Sequence, residues 1–424
     1  MSAYDKDFSE AIYGTENKNR YVTQNRLRKM LRYEVALIEE RIPRENNPGK
    51  KFFSYANTVT TINFDKTSKG HGWVGVRFQN SENEEYNEII IHVKFKETNP
   101  TLQQETLGSL GVNLIYGAYF YTDNPRILVE SLYDDLSLDR LEIDMIDFSG
   151  PAFQYVDNRL MSLQLVKLGM TDAVIFNSEG NNMLPADILY KKNIFAVRGS
   201  FRPVTRVNID MFEHGLDMFN QDNSCDHQNT QILFEITISN LRASGDIDER
   251  DFLDRVDILG TLGYTVMISN FSEYYRMVDY FSSFTNQHIG VAMGVNNLLD
   301  VFDEDYYKNL PGGILEAFGK FFKKDMRVYL YPYKDPENGE LLTSENLKVH
   351  DNLKELYKYF KLNKRIVDIE KYNPKFLEIY SREILKKIMA HDLGWEDELP
   401  KGVAQIIKER GMFGYKELTF EGLK

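Results

Sequence analysis

Cysteine occurs once among 424 residues, at Cys225. A single thiol excludes an intramolecular disulfide and leaves no thiolate set for zinc or an iron–sulfur cluster. Histidine is nearly as scarce, with seven residues in all. His71, His92, His214, His227, His288, His350 and His391 are scattered with no metal-binding spacing, so neither zinc nor haem is expected. No apolar run approaches the roughly 18 residues of a membrane span. Met1–Arg20 is polar and charged, without the apolar core of a secretory signal. Basic residues are the minority, 51 Lys and Arg against 64 Asp and Glu, for a formal charge of −13. That balance argues against duplex nucleic acid or anionic lipid as a partner, while leaving room for a small anionic ligand that feels only the local field. A cytoplasmic protein is expected, with a homo-oligomer left open.

Against these absences, 42% of the residues are apolar and 13% aromatic. That is enough apolar surface for sizeable cores, and the length suits two or three domains. Leu107-Gly108-Ser109-Leu110-Gly111 runs into the apolar Val112–Tyr121, and Leu259-Gly260-Thr261-Leu262-Gly263 runs into Tyr264–Ser269. Each follows helix-like spacing, and similar strand and helix candidates flank both. Upstream lie the strand candidates Glu88–Phe95 and Gln231–Ser239; downstream lie Leu141–Phe148 and Ile289–Gly294. Their richness in Ile, Val and Phe without strict alternation suits strands buried on both faces of a parallel sheet.

The expected fold is therefore α/β, with duplicated β-α-β units in mostly parallel sheets forming two Rossmann-like lobes. A (β/α)8-like barrel made by fusing the halves is the alternative. The expected segments are a helix and small β element over 1–85, a first repeat over 86–182 and a joining segment over 183–230. A second repeat over 231–335 and a helical C-terminal cap over 336–424 complete the chain.

In parallel α/β folds ligands lie beyond the carboxyl ends of the strands. Polar residues at or near such ends include Glu142 and Asp144 on Leu141–Phe148, then Asn270, Asn296 and Asn297. Glu142 and Asp144 share a face at period two and could hold Mg²⁺ or act as an acid/base pair, or else pair with arginines. The asparagines could bind a ligand or simply cap helices. The sharpest local signal is Val197-Arg198-Gly199-Ser200-Phe201-Arg202-Pro203-Val204-Thr205-Arg206-Val207-Asn208. It sits at a strand-to-helix junction, where backbone N–H groups can receive a phosphate. Gly199 and Ser200 allow close backbone approach, and Arg198, Arg202 and Arg206 could surround an anion or equally pair with surface carboxylates.

Gly199, Phe201, Pro203 and Thr205 make this segment resemble the signature of the HxGH-type nucleotidyltransferases, which include nicotinamide mononucleotide adenylyltransferases. Asn208 stands where that family has its second histidine. The whole chain is also similar to bacterial proteins of unknown role. The resemblance implies adenylyl transfer, with Thr205 and Asn208 at the reacting phosphate and Mg²⁺ as cofactor. The expectation is a protein that handles a nucleotide or phosphorylated metabolite; the alternative is a non-catalytic ligand sensor or scaffold.

Overall fold

The computed structural model describes residues 3–14, 21–63, 65, 69–82, 84–221, 229–243, 245–323 and 325–416. Cys225 and His227 lie outside them. Among the described residues no helix is long and apolar enough to cross a membrane. The chain divides into two compact units, Met1–Val174 and Ile175–Lys424.

The first unit is built on an antiparallel sheet. Strands β1 (Phe53–Thr60), β2 (His71–Phe78), β3 (Asn87–Phe95) and β4 (Leu141–Ser149) lie in that order, and each neighbouring pair is antiparallel. Alternation sends Val74, Val76, Ile89, Ile91 and Val93 to one face, where they join Leu110, Leu114, Leu128 and Leu165 in a buried core. On the other face the helix Gln24–Arg41, capped by the Thr23 hydroxyl, buries Leu27, Leu31 and Val35.

This unit overturns the expected duplication. Leu107–Gly111 lies inside the helix Pro100–Phe120, and Val112–Tyr121 continues that helix instead of forming a strand. The buried positions Gln103, Thr106, Leu110, Leu114, Gly117 and Ala118 fall at helical spacing. Gly111 is required by proximity, since a Cβ there would meet the Tyr55 hydroxyl at 2.6 Å. The second Leu-Gly-x-Leu-Gly ends the helix Glu249–Thr261, and Gly263 takes φ +87° before the next strand. The two motifs share letters but not conformation.

The second unit carries the large sheet. Its strands are β5 (Ala173–Phe176, which spans the division), β6 (Asn182–Met183), β7 (Asn193–Arg198), β8 (Thr230–Thr237), β9 (Val266–Ser269), β10 (Ile289–Gly294) and β11 (Met326–Tyr331). A short hairpin, β12 (Tyr333–Lys334) and β13 (Leu341–Leu342), precedes β14 (Ile366–Asp368). The order is β14-β11-β10-β7-β8-β9-β5-β6. Every pair from β14 through β9 is parallel. The sheet is open, ending in β14 and β6, so the barrel alternative is set aside.

Counted from β7, the parallel strands read 3-2-1-4-5-6. The chain runs outward through β8 and β9, then returns to the other side of β7 with β10. The segment expected to join two lobes therefore supplies the central strand of one sheet. The expected C-terminal cap is largely helical, but it also supplies β14, the last parallel strand.

Helix Arg206–Asn220 lays Met211, Phe212 and Phe219 on one face of this sheet. Phe195 of β7 packs on Phe212 and Phe219, and Phe234 of β8 packs on Phe212. Arg198, three residues after Phe195, points to the opposite face and meets Tyr274 of the helix Tyr274–Ser282. The C-terminal segment is pinned by the Asp210 carboxylate, which accepts from the Tyr331 hydroxyl and the Asn373 amide, and by Asp254, which accepts from the Phe413 amide.

Gly290 on β10 faces the Phe219 and Phe195 rings, and an added Cβ would sit 2.6–2.9 Å from them. Both rings are fully buried. Gly290→Ala should therefore lower stability by about 1–3 kcal/mol through overpacking, read as an earlier urea midpoint with unchanged slope.

Candidate functional site

β7 ends in Arg198 beside Glu235 of β8, its register partner. The two form a bidentate pair, Nε–Oε2 at 2.6 Å and Nη2–Oε1 at 2.9 Å. Glu235 is fully buried. The Ser269 hydroxyl of β9 donates to the same carboxylate at 2.5 Å, and the Tyr274 ring lies 4.3 Å from the guanidinium. One buried charge pair thus joins the carboxyl ends of three adjacent strands. It also settles Arg198 as a partner of protein, not as an open anion clamp.

The other two arginines diverge. Arg202 pairs with Asp251, which also holds Arg255. Arg206 donates to the Leu399 carbonyl at 2.9 Å, with its guanidinium against the Phe376 ring. The expected triple-arginine cradle is not formed: spacing of four residues cannot gather side chains that straddle the end of a strand, a turn and a helix start. Arg255, fully buried, was not legible as a site residue. Its guanidinium donates to the carbonyls of Ser200 and Asn240 at 3.1 and 3.3 Å, tying together the turns after β7 and β8.

The turn after β7 is tightly constrained. A Cβ on Gly199 would meet the Phe201 ring at 2.9 Å, and Phe201 is buried with φ +44°. Thr205, also buried, caps the helix Arg206–Asn220, and its amide and hydroxyl both donate to Asn208 Oδ1, at 3.0 and 2.9 Å. That commits the Asn208 oxygen and leaves its Nδ2 as the donor. The same Thr-x-x-Asn arrangement recurs after β8, where the Thr237 amide and hydroxyl donate to Asn240 Oδ1. This repeat is visible in the sequence and points to Asn240, which no local motif had marked.

A cleft of about 660 Å³ opens at the carboxyl ends of β7, β8, β10 and β11. It gathers Arg198, Gly199, Ser200, Arg202, Asn208, Asn296 and Asn297 from the expected set, and adds Asn240, Tyr331, Tyr333, Tyr380 and Arg382. Its size suits a small organic ligand. Of the expected residues in this unit, Arg206, Thr205 and Asn270 do not line it. The tyrosines and Arg382 come from the C-terminal third, which carried no local motif.

Glu142 and Asp144 lie in the first unit on β4, near a bulge in the pairing with β3. Asp144 is buried, held by His92 Nδ1 at 2.5 Å and Lys94 Nζ at 2.6 Å. Glu142 accepts from Thr171 at 2.8 Å and lies 3.4 Å from Lys94. A magnesium ion on this pair would have to displace Lys94. Among the described residues no group of three or more His, Cys, Asp or Glu side chains is arranged to hold a metal. Burial alone would push the Asp144 carboxyl up, but Lys94 and His92 hold it below the ordinary carboxylate range.

Two outcomes follow. Arg198→Met strands the Glu235 carboxylate in the sheet and should cost about 3–5 kcal/mol, whereas Arg198→Met with Glu235→Met should cost clearly less; chemical denaturation of the four variants reads the difference. A depressed native pKa gives stability that is present above the unfolded value near 3.9 and is lost as pH falls through the native one. Lys94→Met raises the native value, so acid unfolding monitored by circular dichroism should begin roughly 1 pH unit higher. In comparisons with known proteins, no family model and no curated protein matches this chain.

Proposed function

We propose that the second unit binds a nucleotide or a phosphorylated sugar in the cleft between the first β-α turn and the residues after β10. The observation that carries this reading is convergence. Asn208 follows β7, Asn240 follows β8, and Asn296 and Asn297 follow β10; all four line one cavity where the strand order reverses. We read the sheet as a Rossmann-like, doubly wound one, whose ligands occupy this crevice. With their oxygens held by Thr205 and Thr237, Asn208 and Asn240 present Nδ2 donors, while the Asn296 and Asn297 amides can read both donors and acceptors of a base or sugar. Tyr331, Tyr333 and Tyr380 offer ring faces, and Ser200 in the turn before the helix Arg206–Asn220 offers a hydroxyl. Arg382 is exposed on the rim and adds a cation.

Binding without turnover is favoured over adenylyl transfer. Transfer requires positive charge where negative charge develops on the phosphate. Asn208 is neutral and spends its oxygen on Thr205, while Arg198 and Arg202 are held by Glu235 and Asp251. The Gly199-x-Phe201-x-Pro203-x-Thr205 match keeps transfer as the second reading.

Calorimetric titration of the full chain with ATP and Mg²⁺, then with sugar phosphates, tests this. Asn297→Asp places a carboxylate in the cleft and should weaken binding about ten-fold or more, by added repulsion of an anionic ligand. Absence of heat with every probe, or equal affinity in wild type and variant, would overturn the proposal. Release of pyrophosphate from ATP on addition of a phosphorylated acceptor would move the conclusion from binding to transfer.

A further inference from the structure

Beside the cleft lies a smaller chamber of about 160 Å³, and Arg198, Asn240 and Asn297 line both. Its walls are unlike those of the cleft. They include Thr237, Ser239, Tyr274, Tyr306 and Tyr307 with two acidic residues, Glu273 and Asp300; the Thr237 and Tyr307 hydroxyls are held by Asn240 and the Val301 carbonyl. Val301 is the sole aliphatic residue among them. Two acidic groups make it hostile to a phosphate.

Two polar atoms in this wall lack partners. The Tyr274 hydroxyl is buried with no hydrogen bond, although the residue is only 7% exposed. Glu273 Oε2 is likewise buried and unpaired. Both residues line the chamber, and a buried polar atom without a partner is costly. Burial pushes the Tyr274 phenol up, so it stays protonated and can donate. A ligand group that serves both would accept from Tyr274 while donating to Glu273. An ammonium supplies donors alone and would lie near the Arg198 guanidinium. A hydroxyl does both, and a pair of neighbouring hydroxyls can satisfy both walls at once.

We propose that this chamber seats the vicinal diol of a pentose, with the phosphate end of the same ligand in the adjoining cleft. The proposal rests on the cleft's being a ligand site and adds what selects the ligand: ribose over deoxyribose. Asn240 and Asn297, shared by the two cavities, stand where the sugar would pass from one to the other.

The test is calorimetric titration of the full chain with ribose 5-phosphate and with AMP, each against its 2-deoxy counterpart. Wild type should bind the ribo form about ten-fold or more tightly than the deoxy form, as expected for lost hydrogen bonds that leave buried partners unpaired. Tyr274→Phe keeps the ring on Arg198 and should abolish most of that preference; Glu273→Gln, which leaves the fold's buried pairs intact, should reduce it. Equal binding of ribo and deoxy forms in wild type overturns the diol assignment while leaving the cleft reading standing. So does an undiminished preference in both variants. Tighter binding of spermidine than of either ribo probe, lost in Glu273→Gln, would replace the diol with a cation. Failure of both ribo probes to bind removes the cleft reading and the diol assignment together.

Discussion

The second unit depends on the Arg198–Glu235 pair more than on any other single contact. An ion pair buried in a sheet is an expensive thing to desolvate, and hydrophobic residues of similar volume commonly serve as well or better for stability alone. Here the geometry recovers much of that loss. Both guanidinium donors meet both carboxylate oxygens, Ser269 donates a further hydrogen bond, and the Tyr274 ring covers the cation. The result fixes the relative height of β7, β8 and β9 at their carboxyl ends. The turns leaving those strands are thus set by a rigid polar anchor, and Arg255 then ties two of them together from behind. Arg198 of this pair lines both the cleft and the side chamber.

The parallel strands other than β14 were legible because each is a short apolar run bounded by turn residues. Asn193–Arg198 and Ile289–Gly294 stand in the structure with the limits read from sequence, and Gln231–Ser239 shifts by one or two residues. The helix Pro100–Phe120 was not legible along its second half. Val112–Tyr121 mixes apolar and aromatic residues all round, so its burial period is blurred, and the preceding glycines suggested a break. Gly111 is there to let Tyr55 approach, a contact between distant parts of the chain that no local window contains. Strand order escaped for the same reason. Nothing in β10 says that it returns to the far side of β7, and that return is what creates the crevice.

The candidate site divides along a similar line. Gly199, Ser200, Asn296 and Asn297 were found because they follow strands directly, where chain direction places them at the carboxyl edge, and Asn208 because it completes the Gly199–Thr205 signature. Asn240 was missed although Thr237-Ile238-Ser239-Asn240 repeats the Thr205–Asn208 cap. The arginines were found as residues and misread as chemistry, since sequence shows a charge without showing its counter-charge. Glu235 and Asp251 lie 37 and 49 positions from the guanidiniums they hold. In the first unit Asp144 met the same fate, its oxygens taken by His92 and Lys94 across the sheet.

A site whose cations are already bound differs in kind from one that drives phosphoryl chemistry. Preorganised charge accelerates transfer when it is aimed at the place where negative charge develops. In this cleft the charge is largely turned inward to hold strand ends and turns, and the neutral polar groups that line the cavity are amides, hydroxyls and tyrosines set among apolar residues such as Leu377 and Ile379. Such groups discriminate by the pattern of donors and acceptors, and a missing partner leaves a buried group unsatisfied. Tyr274 and Glu273 each carry a buried polar atom of that kind. Selectivity through unsatisfied neutral contacts, more than catalytic power through fixed charge, is what this arrangement of residues is suited to deliver.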